Sequence, residues 1–513
     1  MRRDAAAVVP ALDHARGRGR VCIVGAGSSG IAACQALQAR GIPFDCFEAG
    51  SEVGGNWRYG NDNGMSAAYR SLHAKSSRKG MQYAAFPIPD DYPNYLSHAV
   101  VAKYLDDYVD HFGFRGSIRF QTNVVWIEPA WEGGWDVTTR RRHTAEERTE
   151  RYAAVIVANG HHWAPKYPEP AFPGAGAFTG EQLHSHDYRT PEPYAGKRVL
   201  ILGIGNSAAD IATDCSQVAA RTLIAVRRGA HIVPKYLLGT PIDHLTLMRL
   251  GTRTPRWFQR KAAATLVRVA QGKVTAYGLP KPDHKLLSMP PTVSDSLLSR
   301  VDHGDIMVTP TIDRFDRDRV HFADGSCEQV DVVIYCTGYR IRHPFLDEAA
   351  VLGVGVGSGE PRLYRRVVPP HLSGLYFIGL VQPLGAIMPI AEAQAQWVAD
   401  LLEGRAALPH PARMIREIDR HRAVAARRYD RAAQPGIRVD FLPYLGEIRR
   451  ERIAGAKRAQ AASGGWLRSL SAIRFRASKA RSASTTPIAP PRAPSGDASA
   501  DRYVHASRDL SAQ

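Results

Sequence analysis

The sequence predicts an α/β protein built on two Rossmann-like parallel sheets, and two observations carry that prediction. An apolar strand that runs into a glycine turn and then a helix-forming stretch occurs at residues 21–30, and the pattern recurs at 197–208. Further buried-looking runs that end at or beside glycine follow at 155–160, 330–339 and 374–380. With 513 residues the chain is long for one core, so two or three domains are expected.

In the first unit Gly25 permits the tight turn, Gly27 lets the backbone approach a pyrophosphate, and Gly30 lets helix pack on strand. Ser28 and Ser29 complete the turn, and the helix is expected over 31–40. The free N–H groups and positive end of that helix suit a diphosphate. About 20 residues on, a second apolar strand at 44–47 ends at Glu48, whose carboxylate would accept from ribose hydroxyls and repel a 2′-phosphate. A glycine turn alone is a weak signal. Strand, helix and acid together predict a bound dinucleotide.

The second unit places Gly203 and Gly205 in the turn, Asn206 and Ser207 after it, and Ala208 at the third, packing position. Its following strand, 222–226, ends in Arg227 and Arg228, not in an acid. Two guanidiniums suit a 2′-phosphate, so this unit is expected to select NADPH. Gly203, Gly205 and Ser207 also approximate a nucleophile elbow, but the residues are wrong and nothing nearby completes a triad.

Between the units, Gly54-Gly55-Asn56-Trp57 reads as a loop whose aromatic would lie where a flavin ring would sit if the dinucleotide were FAD, or else serve as a packing anchor. The proline-rich 86–93 is a loop, 97–112 an amphipathic helix, and 124–128, 135–139 and 148–152 an antiparallel meander with a charged tip at 140–147. A helix is expected at 391–402, and the substrate pocket is expected to draw on variable loops such as 235–271.

The formal net charge is +18. From Arg449 onward there are thirteen Lys and Arg against four Asp and Glu, so half the excess is expected on a tail outside the folded body. That distribution argues against specific nucleic-acid binding and leaves weak contact with polyanions or a membrane surface. Beyond about 459 the Ser, Ala, Pro and Arg content cannot bury enough to order itself, although Trp466, Leu467, Leu470, Ile473 and Phe475 could form a surface-binding helix. The leader 1–19 is read as a disordered basic segment and not a signal. No run of about 18 apolar residues predicts a membrane span. The six cysteines stand singly, as reduced packing residues of a cytoplasmic protein, and no metal site is expected. His184, His186 and Asp187 are too close in sequence, without a distant partner, to make one.

Phe178, Gly180, His184 and Tyr188, spaced F-x-G-x-x-x-H-x-x-x-Y between the two units, resemble the fingerprint of flavin-containing monooxygenases. The resemblance spans roughly residues 20–445 and takes in Gly54 to Trp57, Phe86-Pro87, residues 302–306, Cys336 to Tyr339, Gln382 to Gly385, Pro389 and Glu392. It implies FAD on the first unit, held by Gly25, Gly27, Ser28, Ser29, Gly30, Glu48, Asn56, Trp57, Ser76, Val124 and Gln382. It implies NADPH on the second, held by Gly203, Gly205, Asn206, Ser207, Ala208, Arg227 and Arg228. The nicotinamide domain, 163–334, would be inserted between two parts of the flavin domain, 20–162 and 335–445, with a basic helix and tail from 446 to 513.

The implied chemistry is hydride transfer to the flavin, uptake of O₂ at C4a, and delivery of the terminal oxygen of the peroxyflavin to a small molecule. Related Baeyer–Villiger enzymes usually carry Trp where Tyr188 stands, which favours N- or S-oxygenation over ketone oxygenation. A non-oxygenating redox sensor or electron-transfer flavoprotein is the other alternative, and a homodimer is left open. His184 would position and not exchange protons. Lys75 stands where the family usually has Asn beside flavin and nicotinamide; aimed at the flavin, it would favour a deprotonated peroxide, and turned away it would have no such role.

Overall fold

The computed structural model describes residues 19–247, 256–286, 288–352, 361–428 and 435–462. The expectations for the leader through 18 and for the tail beyond 462 lie outside the described residues.

Two five-stranded parallel sheets organise the body. In the first, Leu375–Phe377, Ala154–Val157, Val21–Val24, Phe44–Phe47 and Ile118–Arg119 lie side by side in that order. In the second the order is Ile306–Thr309, Arg221–Ala225, Arg198–Leu202, Val332–Tyr335 and Glu181–His184. Each sheet has its glycine-turn strand at the centre, and that strand is buried along nearly its whole length, as a parallel strand covered on both faces must be. The chain leaves the first sheet after Ala154–Val157, builds the second between Glu181 and Tyr335, and returns when Leu375 pairs with Val155. One Rossmann-like unit is therefore inserted into the other.

Helix Ser28–Gln38 packs against helix Met388–Leu402, so chain from both ends of the insertion closes one core. Helix His98–Phe112 is capped by the Ser97 side chain and stopped by Gly113 in the left-handed region. The meander forms from Thr122–Pro129, Trp135–Arg141 and Glu147–Tyr152.

Four expectations are corrected. The first helix starts at Ser28, not 31, and ends at Gln38, because Gly27 in an extended conformation serves as its N-cap with no capping side chain. The later helix starts at Met388, not 391, with proline in its first turn. The charged tip shrinks because Arg140 pairs with Glu147 in register, an opposite-charge cross-strand pair. The region 235–271 holds helices Ile242–Leu247 and Arg256–Gln271.

The basic stretch from Arg449 is also partly folded. Helix Phe441–Ala462 buries Tyr444, Ile448 and Glu451, and its Arg452 reaches Asp400 at 2.7 Å. The apolar side of this helix lies on the core, so its cations are surface residues of the body and not of a tail. All six cysteines are free thiols, four of them buried. Among the described residues no helix is long and apolar enough to cross a membrane.

Candidate active site

The first glycine turn is held by close backbone approach. Gly25 has φ of +95°, and a Cβ there would lie 2.9 Å from the Ala158 carbonyl oxygen. A Cβ on Gly30 would lie 1.8 Å from the Gly25 carbonyl oxygen. Gly54 donates its N–H to the Ala26 carbonyl at 3.1 Å, and a Cβ on Gly55 would come within 3.1 Å of the Gly27 Cα. Two glycine segments thus meet, and Asn56 and Trp57 overhang the turn. No side chain caps helix Ser28–Gln38, so its first N–H groups face the turn as an anion cradle.

Glu48 is buried at the end of its strand. Its carboxylate accepts from the Ala26 N–H at 2.7 Å, the Gly50 N–H at 2.7 Å and Asn63 Nδ2 at 3.1 Å. Burial pushes its carboxyl up, and the Gly50 and Ala26 amides pull it down. It ties the glycine turn to the second strand while keeping lone pairs for a further donor.

A cavity of about 690 Å³ opens over this turn. Every residue expected to touch the flavin lines it except Gly30, which lies beneath the turn as the packing glycine. The Ala154–Val157 strand feeds its wall with His161, His162 and Trp163, and Pro344 and Phe345 add an apolar side. Sequence reasoning missed these five. The rule that ligands sit beyond the carboxyl ends of parallel strands could have found the first three; Pro344 and Phe345 carry no such signal.

The second turn repeats the first. Gly203 has φ of +131°, with a Cβ position 2.8 Å from the Cys336 carbonyl oxygen, and Gly205 N-caps helix Asn206–Cys215. Ala208 is fully buried at the packing position, and Ser207 is half-buried. Asn206 alone of this set lines the large cavity, its side chain oriented by the Val293 N–H at 2.8 Å. Arg227 and Arg228 are both exposed past the strand end.

Lys75 lines the cavity, but its ammonium is taken by Asp210 on helix Asn206–Cys215 at 2.7 Å, and Asp210 also accepts from Tyr69 Oη at 2.6 Å. The pair joins the segment beside the first turn to the helix of the second. Lys75→Asn, Asp210→Asn and the double variant are expected to show a coupling of about 1 kcal/mol in a thermal-unfolding cycle. Additive losses would mean that the pair holds nothing.

The fingerprint residues are packed away from the cavity. A Cβ on Gly180 would lie 2.6 Å from the Phe178 ring and 2.5 Å from the Asp331 carbonyl oxygen, and buried Tyr188 donates to Asp214 at 3.2 Å. His184 lies against the rings of Tyr167 and Tyr339, and its Nδ1 accepts from the His186 N–H at 3.0 Å. His186 Nε2 turns to the Gly64 carbonyl at 3.1 Å. Burial pushes His184 down to about 4, so it is neutral at pH 7. An unfolded histidine titrates near 6.5, so the unfolded chain binds the extra proton between those values. Stability should therefore fall as pH drops from about 6.5 toward 4, and His184→Asn should flatten that slope of melting temperature against pH.

Comparison with known proteins agrees with this architecture. Residues 18–459 match the flavin-binding monooxygenase-like family. The chain is 34% identical over 446 residues to flavin-containing monooxygenase 5 of Oryctolagus cuniculus, covering 84% of this chain and 82% of that protein. Its fold is similar to S-allyl-L-cysteine S-oxygenase from Allium sativum, with a TM-score of 0.64 at 23% identity over 88% of this chain and 94% of that one. It is similar also to the OTEMO complex with FAD and NADP, with a TM-score of 0.64 at 17% identity over 85% and 98%. The chain therefore belongs to the flavin-binding monooxygenase-like family and is a flavin-dependent monooxygenase.

Proposed function

We propose that this enzyme uses FAD and NADPH to place one atom of O₂ on a small molecule bearing a soft nitrogen or sulfur. The observation that carries the reading is the shared cavity, which takes Gly25 and Gly27 from one dinucleotide turn and Asn206 from the other. FAD fits the first turn because Gly25 and Gly30 pack against backbone with no room for a Cβ, which holds the turn tightly on the helix start, and the helix N–H groups there are open. Glu48 would take the ribose, and Asn56, Trp57, Ser76, Val124 and Gln382 the rest of the cofactor. NADPH would lie along Gly203 to Ala208 with its 2′-phosphate on Arg227 and Arg228. The flavin domain would take residues 20–162 and the chain from about 336 through helix Phe441–Ala462, and the nicotinamide domain about 163–335.

Bound flavin supplies the two-electron step and the activation of O₂. The protein orients and shields. Trp57, Trp163, Pro344 and Phe345 give the cavity an apolar wall that limits water at the reacting ring. Lys75 is held by Asp210, which keeps its ammonium from acting as a free cation in the cavity. The likeness to an S-oxygenase supports sulfur as an acceptor, and the family's flavin-containing monooxygenases support the oxygenating reading over a sensor.

Turnover under ¹⁸O₂ with candidate sulfides and tertiary amines tests this. A product two mass units heavier, formed with NADPH in preference to NADH, is the expected result. NADPH consumption that yields only hydrogen peroxide across such substrates would favour the non-oxygenating redox protein.

A further inference from the structure

The loop from Ala49 to Asp62 closes over the first glycine turn, and its two ends are joined by a residue from a different part of the chain. Its start at Ala49, its middle from Gly54 to Trp57, and the flanking residues Glu48 and Asn63 all line the large cavity. The Gly54 N–H ties the middle to the Ala26 carbonyl, and Arg58 anchors it outward by pairing with Asp106 on helix His98–Phe112. The Ser51 N–H, donating to the Asp62 carboxylate at 2.9 Å, draws the ends together from within.

Arg142 stands just past strand Trp135–Arg141, at the exposed tip of the meander hairpin, and does not itself line the cavity. Its guanidinium spans both ends of the loop. Nη1 donates to the Ala49 carbonyl at 3.2 Å, Nη2 donates to the Asp62 carbonyl at 2.8 Å, and the Asp62 carboxylate lies 3.4 Å from Nη1. The backbone repeats the link: the Arg142 N–H donates to the Gln121 carbonyl at 2.9 Å, and the Gln121 N–H donates to the Gly50 carbonyl at 2.9 Å. Gln121 has φ of +52°, uncommon for a residue with a side chain, at the point where loop, turn and hairpin tip meet.

From this geometry we infer that Arg142 is a positioning residue for the flavin: it latches the loop that covers the cofactor, and breaking the latch frees the flavin to leave. The inference rests on the flavin lying on the first turn, as proposed above. A cofactor held beneath Gly54 to Trp57 is released when that stretch lifts, as a lid does, and a loop pinned at both ends lifts less freely than one pinned at its middle alone. Arginine suits the task because its planar fork presents several donors in a fixed array, whereas an ammonium is one compact point.

The test follows flavin release from the loaded full chain after dilution into flavin-free buffer, read as the rise of free-flavin fluorescence. Arg142→Ala is expected to release flavin about tenfold faster, the worth of one or two ordinary hydrogen bonds, and Arg142→Lys to fall between it and the native chain. Arg148→Ala removes the same charge from the same hairpin, where Arg148 pairs with Glu146 at 2.8 Å, and should release flavin at the native rate. Saturating FAD should restore native kcat and KM for NADPH to Arg142→Ala, a rescue that a general loosening of the fold would not allow. Native release by Arg142→Ala, equal acceleration by Arg148→Ala, or a turnover defect that FAD does not repair would each overturn the latch. A native chain that purifies without flavin and takes up none would instead refute the flavin site itself, and the latch with it.

Discussion

Gly30→Ala is expected to cost the enzyme its flavin. The added methyl would sit 1.8 Å from the Gly25 carbonyl oxygen and 2.9 Å from its carbon, and both are backbone atoms that no rotamer change can move. Relief requires helix Ser28–Gln38 to lift from the turn by more than an ångström, which widens the gap between the helix N–H groups and the diphosphate position. The cost should lie at or above the top of the ~1–3 kcal/mol range for overpacking a tight core. The second unit supplies the control. Ala208, at the equivalent spacing from Gly203, already carries a methyl and is fully buried, so that helix stands off enough to accept it. Ala208→Gly should then be mild, about 1 kcal/mol from helix propensity. The measurements are the ratio of flavin to protein absorbance and the melting temperature. A Gly30→Ala protein that purifies yellow with an unchanged melting temperature would show that the close approach does not govern flavin retention.

The same contrast explains what could be read from sequence. The glycine turns were legible because their spacing encodes local backbone geometry, and Gly25 and Gly203 each back onto the carbonyl of a neighbouring strand end. Strand Leu375–Phe377 could be recognised as buried, but only the pairing of Leu375 with Val155 establishes its place at the sheet edge. The spacing places the first helix start late because Ser28 and Ser29 lie within it, where a capping residue would precede it, and Gly27 caps without a side chain. Cavity walls assembled from distant chain escaped altogether: Phe345 meets Trp163 around one space with no shared period or spacing. Lys75 stands out in the sequence, yet its partner Asp210 is 135 residues away in the chain. Long-range partners of this kind are fixed by packing two units together, and no local pattern records them.

Replacing both Arg227 and Arg228 with alanine is expected to raise the KM for NADPH about 10- to 100-fold and leave that for NADH nearly unchanged. Each guanidinium offers forked, charge-assisted hydrogen bonds to a 2′-phosphate, of the kind worth about 1.5–3 kcal/mol. Both side chains are exposed, so solvent screening lowers the combined effect below the sum of two such bonds. The same exposure gives a second signature. Raising ionic strength from 0.01 to 1 M shortens the screening length from about 30 to 3 Å, so the native preference for NADPH should shrink with salt while the variant shows little salt dependence. The fall should appear in KM and not in kcat, because a phosphate far from the transferred hydride contributes equally to ground and transition states. The ratio of kcat/KM for NADPH over NADH, measured at low and high salt, decides it. An unchanged ratio in the double variant would mean that the 2′-phosphate is read elsewhere, and that the two arginines are solvated surface residues at the end of Arg221–Ala225.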